Sequence, residues 1–433
     1  MSASFDRHAV AGWCLFDWAN SAFPAVITTF VFATYFTQGV AADPVTGTAQ
    51  WGHALAVAGL GIAVLSPVLG SVADLTGRRK AWLAAFAALN VAAVAALWFV
   101  RPSPDSVMLA LVGIAVATVA FEIACVFYNS LLPDLAPPAF IGRISGWGWG
   151  LGYIGGIVCL AVVLIAFVQA EVPAFGLDKS SAEHVRAAGP FSALWYAIFA
   201  VPLFLWVREP AGQQMGLAEA VGRGIADLRE TLHTLSRPDH RAMAWFLLAQ
   251  MIYADGLTTL FAFGGIYAAG TFGMELPEVI TFGIALNLTA GIGAFAFAWL
   301  DDRLGARWTI ASALSALIVI SAALLLIESK AWFWGLGLLL GAFFGPVQAA
   351  SRSMVARLAP PTHRGQMFGL LALSGRVTAF AGPALLAWAT TAAGSQRAGM
   401  ATILLFFVVG LAILLFKVPR EAGNGAAGLS TQF

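Results

Sequence analysis

The chain has 433 residues, 60% of them hydrophobic and only 10% charged, with a mean hydropathy of +0.84. A water-soluble fold cannot cover its surface with that composition, and a net charge of +1 leaves no basic face for nucleic acid. Cys14, Cys125 and Cys159 lie singly in apolar stretches, without CxxC spacing, and read as small buried hydrophobes, so no metal site or cofactor is expected.

Twelve apolar stretches are long enough to cross a bilayer, which takes about 20 helical residues. They fall near 12–38, 51–73, 81–100, 107–132, 144–169, 190–207, 242–268, 277–299, 308–327, 331–356, 366–391 and 398–417. The fold class is therefore an all-α polytopic membrane protein. The apolar run after Arg7 is long and lacks a small-residue cleavage pattern, so it reads as the first span and not as a signal peptide. Pro67, Pro346 and Pro383 are placed to bend their helices.

An even number of spans puts both termini on one side. Loops on that side carry Arg7, Arg78, Arg79, Lys80, Arg143, Arg303, Arg307 and the basic segment between spans 6 and 7. The other side has only Arg101, Lys179, Arg186, Lys330 and Arg397, and Arg376 lies within a span. That bias predicts cytoplasmic termini in a cytoplasmic (inner) membrane. The organisation follows: a six-span bundle over 1–207, a linker over 208–241, a second bundle over 242–420, and a Gly- and Ala-rich tail over 421–433 expected to be disordered. Residues 224–236 of the linker and 180–188 of the loop before span 6 are predicted as short helices.

Half the chain echoes the other. Leu135-Ala136-Pro137-Pro138, followed by Gly142 and Gly146, returns as Leu358-Ala359-Pro360-Pro361, followed by Gly365 and Gly369, at an offset of 223 residues. Asp74 to Arg79 has a weaker echo in Asp302 to Arg307. A duplicated hydrophobic chain reads as two similar bundles facing each other, with a substrate site at the seam. Gly142, Gly146 and Gly150, and Gly148, Gly152 and Gly156, recur every four residues along span 5, a spacing that lets helices approach closely.

Gly70-x-x-x-Asp74-x-x-Gly77-Arg78-Arg79 resembles the loop between the second and third helices of the major facilitator superfamily, and it falls between spans 2 and 3. Residues 13–23, 127–133 and 146–153 resemble bacterial proteins related to the vacuolar amino-acid effluxers of fungal autophagy. The resemblance implies the major facilitator fold, two pseudo-symmetric six-helix bundles, and a transporter that works as a monomer. It implies a cavity lined by spans 1, 4, 7 and 10, with spans 5 and 8, and 2 and 11, meeting between the halves. It also implies a gating role for Asp74, Gly77, Arg78 and Arg79, echoed by Asp302 and Arg307. Gly77 permits a tight turn. Asp74, at a helix end, can pair with an arginine or face the N-terminus of a neighbouring helix. The plainer alternative is that these cations only set topology.

Ionisable residues within spans are rare because burying charge in hydrocarbon is costly. Here they are Asp17, Glu122, Asp255 and Arg376, with Arg352 near the end of span 10. Glu122 and Asp255 lie nearest the midplane and are candidates for proton coupling or for binding a cationic group. The structural alternatives are that Asp17 braces span 1, that Glu122 pairs with Arg376, and that Asp255 marks a break in span 7. Trp18, Asn20, Tyr128, Asn129, Gln250, Tyr253, Thr258 and Gln348 are candidates to line the cavity, against the alternative that the aromatics only pack. Asn129 aligns with Arg352 at the 223-residue offset, and an arginine plus a carboxylate suits a zwitterion such as an amino acid.

Gly150 to Gly155 fits G-x-G-x-x-G but lies inside a span with no preceding strand, and Walker A, HExxH and GxSxG patterns are absent. The expected protein is a secondary transporter, proton-coupled, exporting an amino acid or small peptide through the lipid bilayer. Its partners are a small-molecule substrate and protons. Efflux of amphipathic compounds and uptake of another small metabolite are the alternatives. A membrane-embedded enzyme would need a catalytic constellation in a polar loop, and Asp178, Glu183, His184, Asp227, Glu230, His233 and His240 form none that can be assigned. A transport-inactive sensor would carry an added soluble domain.

Overall fold

The computed structural model describes residues 6–209, 215–234 and 241–419. Every regular element among them is helical, and twelve helical segments are long and apolar enough to span a membrane. These are span 1 (Arg7–Val40), span 2 (Pro44–Thr76), span 3 (Arg79–Phe99), span 4 (Pro104–Leu135), span 5 (Pro138–Val168) and span 6 (Glu183–Trp206). The second set is span 7 (Arg241–Phe272), span 8 (Pro277–Leu304), span 9 (Ala306–Leu326), span 10 (Lys330–Leu358), span 11 (Arg364–Ala393) and span 12 (Gln396–Lys417). The protein is a twelve-span membrane protein of two pseudo-symmetric bundles. All twelve predicted stretches fall within or close to these segments. The tail after 420 lies outside the described residues.

Local sequence explains where the spans begin and end. Asp6 accepts from the His8 and Ala9 amides at the head of span 1, and Asp43 from those of Val45 and Thr46 at the head of span 2. Pro44 takes the first helical position there, where no amide donor is required. Gly77, at φ 61°, ends span 2 in the left-handed region and turns the chain into span 3. Cys14 and Cys159 are buried, Cys125 is half-buried, and all three are free thiols.

Two helix irregularities matter for the site. Span 1 leaves α geometry for a π-helical stretch over Phe23–Phe30. Span 11 is two helices, Arg364–Val377 and Ala381–Ala393, separated by residues 378–380. Pro383 explains that break: its ring clashes with the carbonyl of residue 379, and it has no amide to donate to it. Span 7 runs unbroken from Arg241 to Phe272, so Asp255 does not mark a break in its own helix, and the discontinuity lies in span 11 beside it.

Span 1 packs on spans 5 and 6, and spans 2 and 3 pack on span 4; in the second half span 7 packs on spans 11 and 12, and span 10 on spans 8 and 9. The halves meet where span 2 lies against span 11 and span 5 against spans 8 and 10. Large apolar side chains such as Leu60, Val319, Leu205 and Phe416 remain exposed on the outside, where hydrocarbon would cover them. The linker forms a helix over Leu217–Thr234, longer toward its start than the predicted 224–236, whose last two residues lie outside the described set. In the loop before span 6 only Glu183–Arg186 forms the expected short helix, and it leads into the helix Ala188–Trp206.

Candidate gate and substrate pathway at the seam between the halves

At the face that carries the termini, the two halves are stapled by main-chain capping. Asp74, at the end of span 2, accepts from the backbone amides of Gly365 (3.0 Å) and Gln366 (2.9 Å) at the start of span 11. Asp302, at the end of span 8, accepts from the amide of Arg143 (3.1 Å) at the start of span 5. Asp302 is the repeat counterpart of Asp74, and Arg143 is that of Gln366. Each half therefore supplies a carboxylate to the helix N-terminus of the other, where amides are unsatisfied and the helix dipole favours negative charge.

Glycine makes this approach possible. A Cβ on Gly70 would lie 2.3 Å from the Gly365 carbonyl oxygen, and one on Gly369 would lie 2.4 Å from that of Ser66. The mirror positions behave alike: a Cβ on Gly146 would lie 2.6 Å from the Ala294 oxygen, and one on Gly142 would strike the side chain of Asp301. Gly291 in span 8 also meets Tyr153 across the seam, whereas Gly152 and Gly156 of the glycine-spaced span 5 pack on span 1 within their own half.

Charged side chains reinforce the staple. Asp134 bridges Arg79 (2.8 Å) and, across the seam, Arg364. Asp301 pairs with Arg357 and accepts from Ser353. The linker helix lies over the junction of spans 2 and 11: Asp227 accepts from Ser71 (2.8 Å) and faces His363 (3.4 Å), and Thr231 donates to Gln366 (3.0 Å). Arg78 is exposed and forms no ion pair with a described residue. Arg307 departs from the gating expectation. It donates to the Leu414 and Leu415 carbonyls and lies over the Trp308 ring, bracing span 9 on span 12 inside one half. Its counterpart Arg79 finds Asp134, whereas the repeat position of Asp134 in the second half is Arg357.

Deeper in, Arg352 from span 10 inserts into a socket built wholly by the first half. Its Nη1 donates to Asp17 (2.8 Å) and Asn129 (3.2 Å), its Nε to the Ser145 hydroxyl (2.9 Å), and its Nη2 to the Ser145 carbonyl (2.6 Å). The guanidinium carbon lies 4.6 Å from the Trp13 ring centre, 5.7 Å from Tyr128 and 5.5 Å from Trp149. Trp13 and Tyr128 are held as a stacked pair, each donating to the other's backbone carbonyl. Arg352 is 3% exposed. Asp17 is thus not a brace within span 1 but half of an interdomain ion pair.

Toward the other face the seam loosens. Arg376 pairs with Glu122 across the halves, yet these side chains are 37% and 22% exposed, against 4% and 13% for Arg352 and Asp17. The Arg376–Glu122 pair is thus the more exposed of the two interdomain ion pairs, and the Arg352–Asp17 pair the more deeply enclosed. Tyr153 donates to Gln348 across the seam (2.6 Å). The remaining candidates stay within their own halves. Gln250 accepts from Ser374, Tyr253 bonds Ser351 (2.7 Å), and Trp18 stacks on Trp195 in span 6. Asn20 is buried, its amide nitrogen without a partner. Thr258 is exposed, and the buried hydroxyl beside Asp255 belongs to Thr259. Asp255 is 2% exposed and accepts from the Gly382 amide at 3.1 Å.

Ser145, Trp13, Trp149, Asp134, Arg143 and Arg364 were not expected at the site. Arg143 was legible as the repeat partner of Gln366, ahead of a glycine-spaced helix; the others carry no mark that separates them from packing residues.

Comparisons with known proteins agree with this architecture. Residues 139–428 match the family described as "Vacuole effluxer Atg22 like", and residues 2–160 match the Major Facilitator Superfamily. An uncharacterized MFS-type transporter, YxiO, of Bacillus subtilis (strain 168) is 29% identical over 95% of both chains. Autophagy-related protein 22 of Cryptococcus neoformans var. neoformans serotype D (strain B-3501A) is 26% identical over 66% of this chain, and the match spans 54% of the fungal protein. Among solved structures, the human organic anion transporter MFSD10 has a similar fold, with a TM-score of 0.69 over 94% of this chain and 98% of its own at 19% identity. FucP, a major facilitator transporter solved in the outward conformation, also gives 0.69, over 95% and 98% at 17% identity. A duplicated twelve-span chain whose halves staple each other at the ends of spans 2 and 8, and whose sequence matches over most of its length, belongs to the Atg22-like family of major facilitator transporters.

Proposed function

We propose that this protein is a secondary active transporter that exports a small zwitterionic solute, an amino acid or short peptide, across the cytoplasmic membrane by alternating access. The termini and the linker helix lie in the cytoplasm, and the driving ion is the proton. No catalysis is involved.

The observation that carries the reading is Arg352 in its socket. Opening the terminal face pulls span 10 away from spans 1, 4 and 5 and separates Arg352 from Asp17. Breaking a buried pair by removing one partner costs about 3–5 kcal/mol, because it strands an uncompensated charge. A zwitterion offsets that cost: its carboxylate takes Asp17's place on Arg352, and its ammonium takes the guanidinium's place against Asp17 and the ring faces of Trp13, Tyr128 and Trp149. The ligand thus stabilises the open arrangement that admits it. The fungal relatives' description as vacuole effluxers favours export.

The test is uptake and counterflow in proteoliposomes with a panel of amino acids, dipeptides, organic acids, sugars and amphipathic cations. Transport of zwitterions, competed by one another and lost in Arg352→Ala, supports the reading. Transport confined to sugars, organic acids or amphipathic compounds overturns the substrate class.

A further inference from the structure

We propose that Asp255 is a proton-carrying site whose loading is controlled by the break in span 11. The proposal deepens the transporter reading, on which its coupling role rests, but the proton itself is detectable without any solute.

Asp255 lies in the middle of span 7 and is 2% exposed. One oxygen, Oδ2, accepts from the Gly382 amide at 3.1 Å, at the start of the helix Ala381–Ala393. The other, Oδ1, is buried with no hydrogen-bond partner. One helical turn on, Thr259 Oγ1 is fully buried and also has no partner. A Cβ on Gly382 would lie 2.9 Å from that Oδ1 and 2.0 Å from that Oγ1, so two orphaned oxygens converge on one glycine. Native interiors rarely leave such atoms unsatisfied.

No countercharge is supplied by the helices packed against span 7. The helix Ala381–Ala393 carries no ionisable residue. In span 11 Arg364 and Arg376 hold Asp134 and Glu122. Span 12 has Arg397 on the Leu325 and Ile327 carbonyls and Lys417 over Trp245. In span 10 Arg352, Arg357 and Lys330 hold Asp17, Asp301 and Glu278, and in span 8 Asp302 faces Arg143, while Arg303 stands exposed at the helix end. An ionised Asp255 would be a buried charge with one hydrogen bond, a costly state. A neutral carboxyl removes the charge, and its O–H can donate to Thr259 Oγ1, the other buried oxygen that lacks a partner. Gly382 is pressed onto both oxygens, which leaves a proton room that a metal ion with its ligand shell lacks.

The break makes the site switchable. Residues 364–377 pack chiefly on span 2, and also on spans 4 and 7, whereas 381–393 pack chiefly on span 12 and more lightly on span 7, so the break joins two pieces with different main partners that can move separately. When the Gly382 amide withdraws, water reaches Asp255, the carboxyl O–H bond breaks, the proton passes to water, and a solvated carboxylate remains. Redocking of Gly382 expels the water and requires the proton back.

The experiment is thermal unfolding of the purified full-length protein in detergent between about pH 6 and pH 8, above the ordinary carboxyl range. Wild-type protein holds a proton that the unfolded chain has lost, so its Tm falls as pH rises. Asp255→Asn mimics the neutral acid, so its Tm falls less and the gap between the two widens with pH. Parallel curves overturn the proposal. If Asp255→Asn does not fold, Thr259→Val decides: loss of the acceptor moves the wild-type fall to lower pH, and an unmoved curve overturns the proposal. Stabilisation of wild type, but not of Asp255→Asn, by sodium chloride over choline chloride assigns the site to a metal cation and also overturns it. A wild-type protein that moves no solute defeats the transporter reading while leaving the pH curves to decide Asp255.

Discussion

Arg352 donates to Asn129 at 3.2 Å, and the two residues are 223 positions apart, the offset of the internal repeat. Residues related by a twofold axis can touch only when both lie on or near it. The contact therefore marks the pseudo-symmetry axis, and the sealed socket sits where the two halves mirror each other. The same position offers an amide in one half and a cation in the other, so the axis is symmetric in place and polar in charge.

Arg352→Ala strands Asp17 in an apolar socket and is expected to destabilise the protein by about 3–5 kcal/mol. The double variant Arg352→Ala with Asp17→Ala should recover a large part of that loss. Thermal unfolding of the three proteins checks this through a double-mutant cycle; additive losses would show that the pair is not coupled. Arg352→Lys should not rescue transport, because an ammonium cannot serve Asp17, Asn129 and Ser145 together.

Asp74→Asn should reduce initial transport rates without changing the amount of protein in the membrane. Hydrogen bonds to charged groups contribute about 1.5–3 kcal/mol each, so closure of the terminal face weakens by roughly 10-fold or more. Asp302→Asn should act in the same direction. Rate measurements paired with surface quantification test both, and unchanged rates remove the staple role.

Gly365→Leu or Gly146→Leu should hold the terminal face apart, since even a Cβ meets backbone or side-chain atoms at under 3 Å at both positions. Cysteines introduced across spans 2 and 11 for the first variant, and across spans 5 and 8 for the second, should cross-link readily in the parent and poorly in the variants. Equal cross-linking would mean that another arrangement accommodates the side chain.

Glu122→Gln should cost little stability, below about 1 kcal/mol, because partly exposed ion pairs contribute little. It should nevertheless alter solute affinity, as it frees Arg376 at the seam between the halves. Unaltered binding in a ligand-induced thermal shift assay would remove the pair from the pathway.

Most of the architecture was legible in the sequence, because twelve spans and a half-chain repeat are length and pattern signals that tertiary context does not override. The terminal staple was half legible. Asp74 was identified at a helix end, and the structure selects the helix N-terminus over an arginine as its principal partner. The socket was not legible. Trp13, Trp149 and Ser145 look like packing residues until span 10 is brought across the seam, and no local pattern encodes that approach. Arg307 misled because a repeat preserves position, whereas the partner of Arg79 became Arg357 at the matching site.

The cross-capping of the halves has a consequence for sequence change. The main-chain bond itself does not depend on the side chain attached to the amide: the matching positions hold Gln366 in one half and Arg143, which adds an ion pair to Asp302, in the other, while the neighbouring Gly365 is held to glycine by the close approach of span 2. The position held by Gln366 and Arg143 can differ between the halves while the latch persists. The demand for chemical identity rests on Asp74 and Asp302, and on glycines where even a Cβ would collide with the facing helix.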